Sequence, residues 1–461
     1  MGGKIISSSF RDASGFIFTS NNILYRQINK NYKKSYDFLL NSGLFEKLTN
    51  EKLLINSEEV SIQPFNKNTN YKIIKPKFIP FISYPYEWCF SQLKDAALLT
   101  LKIQEISLKF NMTLKDSSAY NIQFLNGRPI FIDTLSFEKY NEGDPWIAYK
   151  QFCSHFLSPL LLMYYKDINL NKLLKLYIDG IPLELTSKLL PLKSRFSFSI
   201  LSHIHLHAKS QKHYENKLSQ VKKISRLKLS MFQLLAITND LASIIKKLKW
   251  KPRGTQWANY YNETNYNKAA FKNKTEIITS LLNMANPETL WDLGANTGVF
   301  TRLNKNGKLN IAFDVDPAAV EINYKLAKQN NEENILPLVM DLTNPSSDIG
   351  WACNERASIL KRGPADCIIA LALIHHLSIS NNVPFAKVAE FLKDLCQCLI
   401  IEFVPKEDSQ VQKLLTLRED VFSEYSIDIF KAEFSVFFKI KKEMMIEDHN
   451  RTIFFMEKLK Q

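Results

Sequence analysis

The sequence has few cysteines, and they do not show the spacing of a metal or redox motif. It contains six cysteines in 461 residues, and no two form a CxxC pair. A secreted disulfide scaffold has a denser cysteine framework, and a zinc ribbon or thioredoxin-type site needs CxxC. We therefore expect buried, reduced thiols and a cytoplasmic protein.

Long hydrophobic runs are also missing. The longest apolar stretches are residues 152–165, which His155 interrupts, and residues 367–377. Both fall short of the roughly 20 residues that a membrane span needs, and the first 15 residues lack the apolar core of a secretory signal. With 45% hydrophobic and 23% charged residues, the composition is that of a folded protein, and the length predicts two or three domains.

Acidic residues are scarce in one stretch of the chain. Residues 209–253 hold 12 Lys or Arg but only two acids, Glu215 and Asp240, within a chain whose net charge is +14. The stretch is either a solvated helical connector or a surface that attracts phosphate, an anionic polymer or an acidic membrane. The stretch lacks the interleaved aromatic residues on which proteins that bind single-stranded nucleic acid stack the bases. We expect no sequence-specific nucleic-acid binding, and peripheral membrane contact stays open.

The chain divides into three zones, at residues 1–200, 201–253 and 254–461. In the third, amphipathic helices separate near-continuous apolar runs at 288–293, 309–316, 335–342, 366–373 and 398–404. Such runs predict a parallel sheet covered on both faces. Two further runs, 437–446 and 451–458, predict an antiparallel hairpin at one edge. The expected fold is a seven-stranded, mostly parallel α/β sheet.

The turn after the first strand of this sheet has the pattern Asp292-x-Gly294-x-Asn296-x-Gly298. Glycines there permit a tight turn and a close backbone approach. The spacing is not the GxGxxG of a dinucleotide site. It resembles motif I of the class I S-adenosylmethionine-dependent methyltransferases, a family with a Rossmann-like sheet of this kind.

Further motifs follow in the order of that family. Asp314, 22 residues after Asp292, ends the second strand, and Asp316 is a second candidate for the acid that binds the ribose hydroxyls. Asp341 ends the third strand beside Leu342 and resembles the adenine-contacting acid. Residues 370–377 (ALALIHHL), which begin with Ala370, resemble the motif where methyl donor and acceptor meet. The resemblance implies S-adenosylmethionine as cofactor.

Aromatic residues before this sheet resemble the cap that some of these enzymes fold over the donor. Tyr261 and Tyr266, followed by Lys274, are the candidate cap residues. The alternative is an ordinary helix end that packs its aromatics.

The methyl acceptor is expected to be a hydroxyl group. His376 and His375 follow the fourth strand, and a histidine has the pKa of a general base for a hydroxyl. A purely architectural His-His pair is the alternative. The motif is not the Asn/Asp-Pro-Pro-Tyr type of enzymes that methylate base amino groups. The resemblance extends to methyltransferases of nodulation and polysaccharide pathways, which implies a saccharide or cell-envelope glycoconjugate.

The first zone carries a second pattern, in which Asp116 and Asn121 precede Asp133 by 17 and 12 residues. It resembles the catalytic loop and metal-binding aspartate of protein-kinase-like and aminoglycoside phosphotransferase folds, which are α+β. The resemblance implies Asp116 as catalytic acceptor of a hydroxyl proton, Asn121 and Asp133 as metal ligands, and Mg-ATP as a second cofactor. The sequence has no GxGxxG loop and no evident VAIK-type lysine. Arg26, Lys72 and Lys75 are the candidates for the basic residue that would bind the phosphates. The alternative is a hairpin whose Asp and Asn residues stabilise turns.

His203, His205 and His207 form an HxHxH run for which a metal site is conceivable. A methyltransferase, a bifunctional kinase–methyltransferase and a non-catalytic protein that binds through its basic stretch are the three functional hypotheses.

Overall fold

The computed structural model describes residues 3–209, 228–252, 268–416, 420–447 and 449–460. The chain forms two compact units. The first comprises residues 1–251 with residues 349–356, and the second comprises residues 252–348 and 357–461. The described part of the basic stretch, from Lys228 to Lys251, belongs to the first unit, as do the eight residues 349–356 of the expected third zone.

The first unit begins with a five-stranded antiparallel sheet in the order β1-β2-β3-β5-β4. Its strands are β1 Lys4–Ile5, β2 Gly15–Ser20, β3 Ile23–Asn29, β4 Ser57–Glu59 and β5 Asn70–Pro76. Between β3 and β4 lie helices α1 Lys33–Asn41 and α2 Leu44–Asn50. Ile28, Tyr32, Tyr36, Ile74 and Leu135 form one buried cluster, so the segment that holds Leu135 packs on this sheet.

The rest of the first unit is mainly helical, with two short strand pairs. β6 Met112–Leu114 pairs with β9 Phe137–Lys139, and β7 Ile122–Leu125 pairs with β8 Arg128–Phe131. Asn126 and Gly127 make the β7–β8 turn with positive φ, as the asparagine-glycine pair predicts. Its helices are α3 Phe90–Lys109, α4 Tyr149–Phe152, α5 Ser158–Tyr165, α6 Leu173–Leu176, α7 Leu183–Leu189, α8 Phe198–Ile200 and α9 Met231–Lys247.

The second unit is built on a seven-stranded mixed sheet in the order β12-β11-β10-β13-β14-β16-β15. The first five of these strands run parallel, and β16 and β15 add an antiparallel hairpin. Its strands are β10 Thr289–Leu293, β11 Leu309–Asp314, β12 Ile335–Val339, β13 Ala365–Ala370, β14 Cys396–Phe403, β15 Phe438–Met445 and β16 Thr452–Lys458. Seven expected strands are thus present. β11, β12 and β13 end two or three residues early because their last predicted residues form the turns that carry the site.

Helices cover this sheet and bury its apolar faces. They are α10 Lys268–Ala285, α11 Pro317–Gln329, α12 Ile359–Arg362, α13 Phe385–Leu395, α14 Ser409–Leu415 and α15 Ile427–Ser435. α10 packs Ile278 and Leu281 into one buried cluster with Leu290 of β10 and Ile369 of β13. Each such side chain contributes roughly 1.5–3 kcal/mol when fully buried, so this layer holds the central strands in place.

The six cysteines are all free thiols, but not all are buried. Cys353 is exposed and Cys398 is half-buried, so the expectation of six buried thiols is wrong for these two. Cys353 ends a short 3-10 turn at positive φ, and none of the three residues of this turn is buried. No helix within the described ranges is long and apolar enough to cross a membrane.

Candidate functional site

A pocket of about 420 Å³ opens at the carboxyl ends of β10, β11, β12 and β13 in the second unit. Open parallel sheets bind ligands at this edge, because the turns that leave the strands present their side chains and backbone N–H groups there. Eight of the residues expected from the sequence line it: Lys274, Asp292, Gly294, Asn296, Asp314, Asp341, Leu342 and His376.

The turn after β10 is shaped by Gly294, whose φ is +79°. This left-handed conformation favours glycine. It lets the N–H groups of Gly294 and Ala295 both donate to the carbonyl of Phe313, at 2.9 Å each. The turn is thereby fixed to the end of β11. Gly298 has a φ of +77°, and a Cβ there would meet the Asn323 side chain at 2.5 Å.

Asp314 ends β11 and faces the pocket while nearly buried. Its Oδ2 accepts from the N–H of Asn296 at 2.7 Å, and its Oδ1 accepts from the N–H of Asp316 at 2.8 Å. Burial raises the pKa of Asp314 to about 6, against the lowering effect of these two backbone bonds. The backbone N–H groups hold the carboxylate in one orientation, and its oxygens can accept further hydrogen bonds from ligand hydroxyls.

Asp292 is the last residue but one of β10 and lies nearly buried in the pocket lining. Its Oδ2 accepts from the hydroxyl of Thr301 at 2.5 Å. Burial raises the pKa of Asp292 to about 7, and the nearby Asp314 charge acts in the same direction. Asp292 therefore ties the short helix that begins at Thr301 to the end of the strand.

Asp341 and Leu342 form the far wall, after β12. Oδ1 of Asp341 accepts from the N–H of Thr343 at 2.9 Å and from its hydroxyl at 2.7 Å. This turn holds the half-buried Asp341 side chain beside Leu342 at the pocket edge.

Lys274 of α10 is buried against the base of the pocket. Its Nζ lies 2.6 Å from Oε2 of Glu402, which also accepts from the N–H of Ala372 at 2.7 Å. Arg451 lies 3.5 Å from the other oxygen of Glu402 and donates to Asp408 at 2.7 Å. Burial lowers the pKa of Lys274, while Glu402 raises it. The sequence prediction did not include Glu402 or Arg451. Glu402 could have been found, because it is the one acid in the apolar run that forms β14.

The two histidines after β13 are placed differently. His376 lines the pocket, whereas His375 is buried beneath it, with the ring centroids 4.2 Å apart. Burial lowers the pKa of His376 to about 4, with Arg451 acting in the same direction, and it lowers that of His375 well below the usual value. Both imidazoles are therefore neutral at pH 7, and His376 is the one that faces a ligand.

Four predicted residues do not line the pocket: Gly298, Asp316, Ala370 and His375. Asp316 instead caps α11, because its Oδ1 accepts from the N–H of Ala318 at 2.8 Å. Ala370 is the buried last residue of β13. Tyr261 and Tyr266 lie outside the residues that the structure describes.

The first unit brings Asp116, Asn121 and Asp133 into one polar cluster. Asn121 bonds to Asp116 and donates to the hydroxyl of Ser136 at 3.3 Å, and Ser136 donates to Asp133. The guanidinium of Arg26, on β3, forms an ion pair with Asp133. This pairing gives Asp133 a cationic partner from the protein itself, which lowers its pKa despite burial. Lys72 and Lys75 instead pair with Glu59 and Glu58.

The HxHxH run does not converge on a common point. His203 contacts the hydroxyl of Tyr149 and, at 2.9 Å, Asp240; His205 lies between the hydroxyls of Ser187 and Ser194; and His207 stacks on Tyr149. His203 and His205 lie on the π-helical turn Leu201–Leu206, and His207 directly follows it. His203 and His207 share Tyr149, whereas His205 contacts two serines. Among the described residues, no three His, Cys, Asp or Glu side chains gather as metal ligands.

The sheet and its pocket define an α/β protein with a small-molecule-sized site at the carboxyl ends of parallel strands. The chain is 33% identical over 464 aligned residues to nodulation protein NoeA of Rhizobium meliloti (strain 1021). The alignment covers 98% of this chain and 96% of that protein, so the chain belongs to the NoeA family. No protein-family model matches it.

Three solved structures with partial likeness are methyltransferases. Magnesium protoporphyrin IX methyltransferase (ChlM) from Synechocystis PCC 6803, with bound SAH, is 16% identical, covers 44% of this chain and 93% of its own, and has a TM-score of 0.33. N-methyltransferase NodS from Bradyrhizobium japonicum WM9 is 10% identical, and the likeness covers 42% of this chain and 99% of NodS with a TM-score of 0.30. The bifunctional kinase-methyltransferase WbdD is 14% identical, and the likeness covers 47% of this chain and 45% of WbdD with a TM-score of 0.29. These TM-scores are too low to carry an argument about function.

Proposed function

We propose that the second unit is an S-adenosylmethionine-dependent methyltransferase. The observation that carries the proposal is Asp314. Its carboxylate is held by backbone N–H groups and lines a strand-end pocket, where an ionised carboxylate can accept from a neighbouring pair of hydroxyls. A ribose diol is such a pair.

The residues of the pocket fit this donor. The volume of about 420 Å³ lies in the range of small-molecule sites. The Gly294 turn allows the amino-acid part to approach the backbone, Asp314 would accept from the ribose, and Asp341 with Leu342 would border the adenine. When bound, S-adenosylmethionine supplies an activated methyl group. The protein's part is then to align the reactants and exclude water.

We infer that the acceptor is a hydroxyl group and that His376 takes its proton. A neutral imidazole can accept a proton, and the lowered pKa of His376 keeps it neutral at pH 7. Leu371, Leu373, Leu377 and Leu414 form apolar walls around it and keep water away from the reacting atoms. That the hydroxyl belongs to a saccharide or a cell-envelope glycoconjugate rests on the sequence resemblance alone.

Calorimetry of the full chain with S-adenosylhomocysteine tests the donor site. We expect saturable binding that Asp314→Asn weakens at least tenfold, since a hydrogen bond to a charged group is worth about 1.5–3 kcal/mol. The matched control is Asp394→Asn, on the exposed face of α13, which should bind like the parent. Absence of binding by the parent chain would favour the third hypothesis, a non-catalytic protein.

A second candidate function is phosphoryl transfer by the first unit. It is favoured by the connected cluster of Asp116, Asn121, Ser136 and Asp133 with Arg26. For Mg-ATP to bind, Arg26 would have to move from Asp133 to a phosphate and leave the carboxylate to the metal. Calorimetry with Mg-ATP decides this, because binding that is lost in Asp133→Asn supports it and no binding in the parent chain rejects it.

A further inference from the structure

One short segment of the first unit exposes three large apolar side chains. Leu192 is 73% exposed, Phe196 is 91% exposed and Phe198 is 81% exposed. Lys193 and Arg195, both exposed, alternate with them. Water contact at side chains of this size is unfavourable, and exposed apolar residues grouped in this way mark an interaction surface. We call residues 192–198 the apolar-basic loop.

Hydrogen bonds of two serines fix the backbone of the apolar-basic loop. Between the exposed residues, Ser194 is fully buried, and its hydroxyl donates to the carbonyl of Pro191 at 2.7 Å and contacts Nε2 of His205 at 2.9 Å. The Ser197 hydroxyl accepts from the N–H of Ile200, which caps α8. The backbone is thus anchored through its small polar residues, and this arrangement directs Phe196 and Phe198 outward.

A basic and aromatic cleft of about 480 Å³ continues this face. It is lined by Tyr164, Tyr165, Lys193, Lys249, Trp250 and Lys251. The Nζ of Lys193 lies 5.5 Å from the ring centroid of Tyr165. Lys193 therefore belongs to both the loop and the cleft, and the two form one continuous surface.

Few acids oppose the positive charge of this surface. Residues 185–209 contain no Asp or Glu. Three acids on neighbouring described elements are engaged: Glu184 pairs with Lys188, Asp240 bonds to His203 and Ser199, and Asp167 caps the turn at Asn169. The surface thus combines projecting aromatic and aliphatic groups with uncancelled positive charge.

We propose that this face docks on an anionic phospholipid bilayer. Phe196, Phe198 and Leu192 enter the interfacial region, while Lys193, Arg195 and the cleft lysines lie at the acidic headgroups. Aromatic side chains concentrate at membrane interfaces, and juxtamembrane basic residues are attracted by anionic lipid. Projecting single side chains that alternate with basic residues fit a fluid surface better than a rigid protein partner. The proposal is independent of the donor pocket, which lies in the other unit.

Sedimentation of the full chain with vesicles tests the proposal. We expect binding to vesicles of equal parts phosphatidylcholine and phosphatidylglycerol, and little binding to phosphatidylcholine alone. Lys193→Gln with Arg195→Gln should lower the affinity about thirtyfold, since each basic group near the surface contributes roughly a factor of five. Phe196→Ser with Phe198→Ser should lower it roughly tenfold or more, and the loss should persist at high salt.

The matched control is Phe78→Ser, which removes another exposed phenylalanine of the same unit and should bind vesicles like the parent. All the substituted residues are exposed, so the thermal unfolding midpoints should agree with the parent. Equal binding to both kinds of vesicle, no binding by the parent, or parent-like binding by the loop variants would each overturn the proposal. Binding of a single-stranded oligonucleotide that survives the two Phe substitutions, without vesicle binding, would assign the face to nucleic acid instead.

Discussion

The Nζ of Lys274 and the Oε2 of Glu402 lie 2.6 Å apart, although 128 residues separate them in the chain. Neither side chain is more than 2% exposed. The same Glu402 oxygen accepts from the N–H of Ala372, so the pair supports the turn after β13 that lines the pocket. Because both charges are out of water, each depends on the other.

Breaking this pair should destabilise the protein strongly. Lys274→Met leaves a buried carboxylate with one cation fewer, and removal of one partner of a buried pair costs about 3–5 kcal/mol. The double variant Lys274→Met with Glu402→Gln should cost less than the sum of the single variants, because Lys274 and Glu402 are removed together and Arg451 keeps Asp408 as its partner. Urea unfolding of the full chain measures all three.

The matched control for that series is the exposed pair of Lys308 and Glu288, which lie 2.8 Å apart with both side chains in water. Lys308→Met should cost less than about 1 kcal/mol. If Lys274→Met costs no more than this surface variant, the buried pair has no structural role.

The affinity for S-adenosylhomocysteine should rise with pH between about 5 and 7. Burial raises the pKa of Asp314 to about 6, and only the ionised carboxylate accepts from both ribose hydroxyls. Calorimetry across this range should show the rise in the parent chain and a flatter profile in Asp314→Asn. A parent profile that is flat from pH 5 to 7 would argue against Asp314 as the ribose acceptor.

Asp292 should make the protein less stable as pH rises from about 4 to 7. Its pKa is raised by burial to about 7 in the folded chain, against 3.8 for an unperturbed carboxyl group. The folded state therefore holds a proton that the unfolded state has released, and this contribution is full below about pH 4 and lost above the folded pKa. A shift of this size corresponds to a few kcal/mol, on the order of 4.

The comparison with Asp292→Asn isolates that effect. The amide oxygen can still accept from Thr301, but it carries no charge to bury. Relative to the parent, the variant should therefore gain stability between pH 4.5 and 7.5 in urea unfolding. A difference between the two proteins that does not change with pH would show that Asp292 does not titrate in this range.

His376→Asn should lower kcat by roughly 10²–10⁴, the usual contribution of a general base, with a much smaller change in the affinity for S-adenosylhomocysteine. Because burial lowers the pKa of His376 to about 4, no loss of activity due to this residue should appear near pH 6.5. His207→Gln, in the first unit, is the histidine control. A kcat near that of the parent in His376→Asn would leave the histidine with an architectural role.

The sequence allowed the second unit to be predicted in detail for a simple reason. Strands that are apolar along their whole length, with helices between them, indicate a parallel sheet that is buried on both faces. The carboxyl ends of parallel strands share one edge, so Asp292, Asp314 and Asp341 had to lie together there. The glycine spacing likewise placed the backbone turn at Gly294, because few other residues adopt its φ.

Tertiary structure alone decided which charges meet. Lys274 lines the pocket and pairs with Glu402, a partner 128 residues away that its place in the sequence does not indicate. Asp133 pairs with Arg26 of β3, which precedes it by 107 residues, and the sequence does not indicate this partner. His203 and His207 both contact Tyr149, whereas His205 lies between the hydroxyls of Ser187 and Ser194. Sequence periodicity records which face of an element is buried, whereas the partner of a buried charge depends on which distant segment packs against that face.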